Sequence, residues 1–356
     1  MNGSVLDLVR PDLRDLQGYV AAEPDFERLR LHANESPWDT SVELPCEALN
    51  RYPPVRALAL EQRLADVYGI EAERLLVTRG SDDGIDLLVR TFCRAGEDAV
   101  LTTPPTFGMY AVAARIQNAL HVEVPLISGE DFRLDAQAVL AACEASPVRL
   151  VFLCSPNNPT GQRLAPESVR EICTALAGRA VVVVDEAYAE FTGASSHAAD
   201  LDRHDNLIVL RTLSKAHGLA GVRCGAVLAA PPLITLLCGI APPYSTPSPV
   251  ISAVLARLTD EALAQTAERM VTTAQLRSRL SASLTPLRWV RHVWPSDANF
   301  VLVDVDEPDA LVAWCREHDV LIRRFPGKPG LDQAVRISIG TPEQVERLIS
   351  LLEAFT

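Results

Sequence analysis

Lys215 lies in Arg211-Thr-Leu-Ser-Lys-Ala-His-Gly-Leu-Ala-Gly-Val-Arg223. A lysine alone is ordinarily a solvated surface group, but this one is framed. Thr212 and Ser214 place hydroxyls beside it, and Gly218 and Gly221 permit close backbone approach. Arg223, eight residues on, adds a permanent planar cation. Hydroxyls and a guanidinium around one amine fit the phosphate ester of an aldehyde that the amine holds covalently. Four other groups could serve such a molecule. Asp185 closes the run Val181-Val-Val-Val184, where a carboxylate emerges at the edge that binds ligands in open α/β sheets; it equally suits a plain strand-end cap. Gly80-Ser-Asp-Asp-Gly84 opens a helix directly after a strand, so the first-turn amides at Ser81 and Asp82 can hold a phosphate, or Ser81 can simply cap the helix. In Asn158-Pro-Thr-Gly161 a fixed φ and a tight turn can aim the Asn158 amide rigidly. Phe107, opening another helix, offers a flat face for a heteroaromatic ring or a core contact.

These groups need a scaffold that delivers them in succession. Apolar runs at Leu75–Thr78, Ala99–Thr102, Leu150–Cys154, Ala180–Val184, Leu207–Leu210 and Gly225–Ala229 lack polar alternation, as strands buried on both faces do. Helix-like stretches at Leu58–Tyr68, Asp83–Arg94, Phe107–Gln117, Asp135–Glu144 and Pro166–Leu176 alternate with them. The pattern predicts an α/β fold with a mostly parallel central sheet flanked by helices. A continuous helical pattern from Val250 to Leu284 then leads away from the sheet. After it come a strand at Asn299–Val305, a helix at Pro308–His318, short strands at Val320–Arg323 and Ala334–Ser338, and a last helix from Pro342. The expected division is an arm with part of a small domain (1–44), a large α/β domain (45–270) and a small α+β domain (271–356).

Composition narrows the function. The 356 residues are 48% hydrophobic and 22% charged, enough apolar material for a sizeable core. A net charge of −13 disfavours nucleic acid as a partner, because phosphate backbones require a basic field. No uncharged apolar run is long enough to span a membrane, and the charged start of the chain lacks the apolar core of a secretory signal. Eight scattered cysteines without a C-x-x-C pair read as small core residues in a reducing compartment. The cytoplasm is the expected location. Seven histidines show no metal-like spacing, and no G-x-G-x-x-G, Walker, G-x-S-x-G or H-E-x-x-H motif competes with the lysine constellation.

Nearly end to end, the chain resembles the fold-type-I pyridoxal-phosphate aminotransferases, and among them the histidinol-phosphate aminotransferase group. The resemblance rests on Leu31-His-Ala-Asn-Glu-Ser-Pro37, Asn50-Arg-Tyr-Pro53, Arg79-Gly-Ser-Asp-Asp-Gly-Ile-Asp86, Pro104-Pro-Thr-Phe-Gly-Met-Tyr110, the Cys154–Gly161 segment, Asp185-Glu-Ala-Tyr188, Arg211–Lys215 and Val335-Arg-Ile-Ser-Ile-Gly-Thr341. It implies that Lys215 holds pyridoxal 5'-phosphate and moves protons, for which its pKa must fall below the free value. Asp185 would pair with the ring nitrogen, Tyr188 and Asn158 with the ring oxygen, and Phe107 with the ring face. Ser81, Asp82, Thr212, Ser214 and Arg223 would hold the phosphate. Tyr52 would join them from a second subunit, implying a homodimer with shared active sites. Arg336 and Asn34 would contact substrate, and Arg323 with Tyr19 would favour a phosphate over a carboxylate. His217 stands where this group commonly has Phe and reads as a packing variation.

The implied reaction is ping-pong transfer from L-glutamate, released as 2-oxoglutarate, to imidazole-acetol phosphate, giving L-histidinol phosphate. The alternatives on the same scaffold are an aromatic amino-acid aminotransferase and a threonine-phosphate decarboxylase-like enzyme. A non-enzymatic ligand-binding module and a nucleotide-binding α/β protein fit less well, because the lysine is retained and glycine fingerprints are missing.

Overall fold

A computed structural model describes residues 28–32, 34–38, 50 and 52–355, the side chain of Glu130 excepted. In chain order its strands are β1 (Leu29–Arg30), β2 (Leu75–Thr78), β3 (Ala99–Thr102), β4 (Leu120–Glu123), β5 (Val148–Cys154), β6 (Val181–Asp185), β7 (Leu207–Thr212), β8 (Gly225–Leu228), β9 (Val290–Val293), β10 (Phe300–Val305), β11 (Val320–Leu321), β12 (Arg323–Arg324) and β13 (Ala334–Ser338). The large sheet has seven strands in the order β2-β8-β7-β6-β5-β3-β4. All run parallel except β8, which is antiparallel to both neighbours. β4 and β5 lie on opposite sides of β3, so the connections leaving the carboxyl ends of β3 and β5 diverge and open a crevice there.

The apolar runs explain the layering. Along β6, Val182 and Val184 point into one core cluster and Val183 into the other. Along β5, Val151 and Leu153 join the first, whereas Leu150, Phe152 and Cys154 join the second. Both faces are therefore covered, by helices α1 (Leu58–Tyr68), α2 (Ser81–Phe92), α3 (Met109–Gln117), α4 (Ala136–Ala145), α5 (Pro166–Ala175) and α6 (Pro231–Ile240). Each fully buried Leu or Val contributes roughly 1.5–3 kcal/mol. Six of the described cysteines are buried and all of them are free, Cys238 being partly exposed. No helix among the described residues is long and apolar enough to cross a membrane.

The pattern from Val250 to Leu284 is two helices, α7 (Ser248–Arg257) and α8 (Asp260–Leu284). Thr259 separates them: its backbone is extended, at φ −71° and ψ 158°, and its side chain accepts from the Ala262 amide at 3.2 Å. The continuous apolar spacing concealed this cap. The expected strand Val320–Arg323 is likewise two elements: β11 pairs in parallel with β1, and β12 joins the four-stranded sheet β12-β13-β10-β9. With α8, α9 (Pro308–Glu317) and α10 (Pro342–Glu353), this sheet encloses a separate core containing Leu280, Val303, Leu311, Ile337 and Leu348. A small fourth cluster links Ala187, Tyr188 and Ala216, beyond the large sheet, to Ala298 and Phe300 on the smaller one. Replacing the capping hydroxyl with Thr259→Ala is expected to lower unfolding free energy by about 1 kcal/mol in urea titration.

Candidate functional site

The carboxyl ends of the large sheet bring most of the anticipated groups together. Asp185 ends β6 and is 2% exposed. Its Oδ1 accepts from the Ala187 amide at 3.1 Å and its Oδ2 from the Tyr110 hydroxyl at 2.8 Å. Burial pushes its pKa up to about 6 against these two stabilising hydrogen bonds. Such a carboxylate retains acceptor capacity and gains from a cation, which suits a protonated pyridine nitrogen.

A phosphate-sized cup lies beside it. Gly80 is the N-cap of α2 at φ +76°, with no side-chain capping bond, and Ser81 is the first helical residue; the capping reading of Ser81 is therefore not what the structure holds. The Thr212 hydroxyl donates to Ser214 Oγ at 3.0 Å and accepts from the Ser214 amide at 3.2 Å. Arg223 donates to Ser214 Oγ at 3.3 Å and to Asp82 Oδ2 at 3.2 Å. The cup is tight by construction. A Cβ on Gly80 would stand 2.6 Å from Arg223 Nη2, and one on Gly225 would stand 2.7 Å from the Arg211 carbonyl oxygen and 2.9 Å from the Ser81 nitrogen. A helix N-terminus, two hydroxyls and a guanidinium around a cradle without side-chain bulk fit a phosphate monoester.

Lys215 follows on the loop after β7, its Nζ 5.7 Å from the centroid of the Tyr188 ring. Desolvation and then the Arg336 charge lower its pKa, against the opposing Glu35 and Asp82, to about 8. Tyr188 is buried against Phe300 and accepts at its hydroxyl from Asn34 Nδ2 at 3.0 Å. Asn34 holds φ +54° and exchanges bonds with Ser338: its amide donates to Ser338 Oγ at 2.9 Å, and that hydroxyl donates to Asn34 Oδ1 at 2.8 Å. Phe107 packs edge-on to Tyr110, with centroids 5.6 Å apart.

The smaller sheet contributes cations. Arg336 on β13 is 6% exposed; it donates to Asn158 Oδ1 and to the His32 carbonyl oxygen. Across the antiparallel ladder its direct partner is Arg323 on β12. Like charges opposite one another on one sheet face are destabilising unless an anion lies between or above them.

Behind the site runs a buried ionic clamp. Arg211 donates to Glu186 at 3.1 Å and to Glu190 at 2.7 Å, tying the end of β7 to the segment after β6. Glu186 also accepts from the Ser196 hydroxyl and from the His197 amide at 2.7 Å. Burial would raise the Glu190 pKa, but the Arg211 and His217 charges outweigh it and bring it to about 2. His217 is buried, 3.7 Å from Glu190.

Of the anticipated residues, Tyr52 is not in the cup of its own chain: it is 82% exposed and stacks on Tyr244 at 4.7 Å. Tyr19 lies outside the described residues. Sequence reasoning missed Tyr110, Ser338 and Gly225. Ser338 sits inside a quoted motif, Val335–Thr341, and Tyr110 closes another; nothing in their spacing says what they touch. No cluster of three or more potential metal ligands occurs among the described residues.

Residues 21–352 match the model of the aminotransferase class I and II family. A histidinol-phosphate aminotransferase of Xanthomonas euvesicatoria pv. vesicatoria is 45% identical, over 98% of this chain and 97% of its own length. One from Stenotrophomonas maltophilia is 44% identical over the same shares. Among solved structures, a histidinol-phosphate aminotransferase from Sinorhizobium meliloti in complex with pyridoxal-5'-phosphate superposes with a TM-score of 0.79 at 26% identity, covering 91% of this chain and 90% of that one. Cutting the clamp with Arg211→Ala strands two buried carboxylates and is expected to cost roughly 3–5 kcal/mol in urea-induced unfolding.

Proposed function

This chain belongs to the class I and II aminotransferases, pyridoxal-phosphate-dependent enzymes, and from that membership we propose that it exchanges an amino group between L-glutamate and imidazole-acetol phosphate. The products are 2-oxoglutarate and L-histidinol phosphate, a step of histidine biosynthesis. The observation that carries the choice of acceptor is the register pair Arg323 and Arg336. Two guanidinium groups on one face suit a phosphate ester, whose charge approaches −2, better than a single carboxylate or a neutral aromatic side chain. Tyr19 is proposed to complete this subsite, and Asn34 to touch substrate near Tyr188. The names of the full-length relatives support the same substrate pair.

Bound pyridoxal phosphate supplies an electron sink for the bond that breaks at the substrate's Cα. The protein's residues do the rest. Ser81, Asp82, Thr212, Ser214 and Arg223 fix the phosphate, Phe107 covers one ring face, and Asp185 offers its carboxylate to the ring nitrogen. Tyr188 and Asn158 would bond the ring oxygen, and Arg336, which donates to Asn158 Oδ1, would meet the substrate's anionic end. Lys215 would be the residue that holds the cofactor's aldehyde, and its Nζ, once free, would take the proton from the substrate's Cα. With an amine pKa of about 8, a useful fraction is neutral at physiological pH.

The enzyme is proposed to act as a cytoplasmic homodimer in which Tyr52 reaches the partner's cup. The exposure of Tyr52, Val55, Leu58, Leu236 and Tyr244 supports a covered apolar face there. The proposed division remains an arm with part of the small domain over 1–44, a large cofactor-binding α/β domain over 45–270 and a small α+β domain over 271–356.

Lys215→Ala is expected to abolish turnover while circular dichroism and thermal midpoint stay near those of the parent; turnover in that variant refutes the assignment. Arg323→Ala should raise KM for imidazole-acetol phosphate more than for glutamate, by about tenfold or more if one charge-assisted contact is lost. Equal effects on both substrates, or faster amination of phenylpyruvate than of imidazole-acetol phosphate by the parent, would contradict the acceptor. In cofactor-free protein, labelling of Lys215 by an amine reagent should rise with pH about a midpoint near 8, well under the 10.5 of an ordinary lysine.

A further inference from the structure

Asp185 is held by two hydrogen bonds, and only one comes from a side chain, that of Tyr110. Tyr110 is the second residue of α3, the helix that Phe107 precedes, and is fully buried. Its ring lies parallel to that of Phe152 on β5, with centroids 4.7 Å apart and planes within 6°. Phe107 packs against its edge. The hydroxyl is thus locked at 2.8 Å from Asp185 Oδ2 by packing on two sides, and no rotamer change is needed for it to donate. Burial and the neighbouring Asp185 push the Tyr110 hydroxyl's own pKa far above its usual value, so it remains a donor at every working pH.

We infer that Tyr110 is a positioning residue for the reaction: its hydroxyl keeps the Asp185 carboxylate anionic and oriented, so that the shared proton resides on the cofactor's ring nitrogen. This rests on the reading that Asp185 faces that nitrogen. A hydrogen bond to a carboxylate stabilises its charged form and lowers its proton affinity. Without the Tyr110 donor, Asp185 would compete more strongly for the proton, and the ring would be a weaker electron sink. The other titratable groups around Asp185 do not replace the donor. Asp82 and Glu186 are negative and raise its proton affinity, while the Cys154 thiol and the Tyr188 hydroxyl act on it through space only.

The test is Tyr110→Phe, which deletes one oxygen and keeps the ring stack. Parent and variant holoenzymes are loaded with pyridoxal phosphate labelled with nitrogen-15 in the ring, and the nitrogen resonance is followed with pH alongside kcat and KM. The parent should show a protonated ring nitrogen. In the variant the resonance should move toward the unprotonated position, and kcat should fall about tenfold while KM for glutamate stays within about twofold. An unchanged resonance, or a kcat within about twofold of the parent, overturns the role of Tyr110. An unprotonated nitrogen in the parent itself overturns instead the placement of Asp185, so the two failures are distinct. If the variant is recovered without cofactor, the carboxyl carbon resonance of Asp185 in cofactor-free protein decides: titration at higher pH than in the parent supports the proposal, and an unchanged midpoint overturns it.

Discussion

The geometry of the site hangs on Arg211. Its guanidinium lies between Glu186 and Glu190 and locks the end of β7 to the segment that continues β6. One of those strands delivers Asp185 and the other Lys215. Strand pairing places Asp185, but it does not fix the segment beyond the last ladder bond of β7, which carries Lys215. A buried ion pair adds little net stability, since desolvation offsets the attraction. Its value here is geometric: one guanidinium bonds a carboxylate at 3.1 Å and another at 2.7 Å, and so ties the segment after β6 to β7.

The same trade recurs elsewhere. Asp185 is buried although burial opposes its charge, Lys215 is half-buried although desolvation drives off its proton, and two arginines are paired across a ladder. Each violates a rule that the strands around it obey. The valines of β6 and the alternating faces of β5 supply the burial energy that tolerates such local conflict. Conflict is concentrated where ligand charge can resolve it.

Sequence reading served the structure unevenly, for physical reasons. Strands β2 and β3 and helix α1 have the bounds that their apolar spacing predicts, because periodicity and burial agree there. Edge strand β4 was missed: Leu120-His-Val-Glu is largely exposed and has no continuous apolar run. Helix α6 was missed for the opposite reason, since Pro231–Ile240 is apolar almost throughout and shows no polar face to give a period. At the site, Lys215, Asp185, Asn158 and Arg223 were legible because strand ends, turns and glycines announce them locally. Tyr110 and Gly225 were not. Their significance lies in an oxygen contributed by β6 and in a backbone that passes within 3 Å, and neither is encoded by neighbours in the chain.

The pairing of Arg323 with Arg336 has a consequence for how the protein behaves in solution. Two arginines in direct register across a ladder concentrate positive charge there, and a multivalent oxyanion of any origin is drawn to such a pair. Sulfate or inorganic phosphate in a buffer meets the same attraction as the ester end of a substrate. For the proposed acceptor, the medium would then be a competitor as well as a solvent, and an apparent Michaelis constant would belong as much to the choice of buffer salt as to the enzyme.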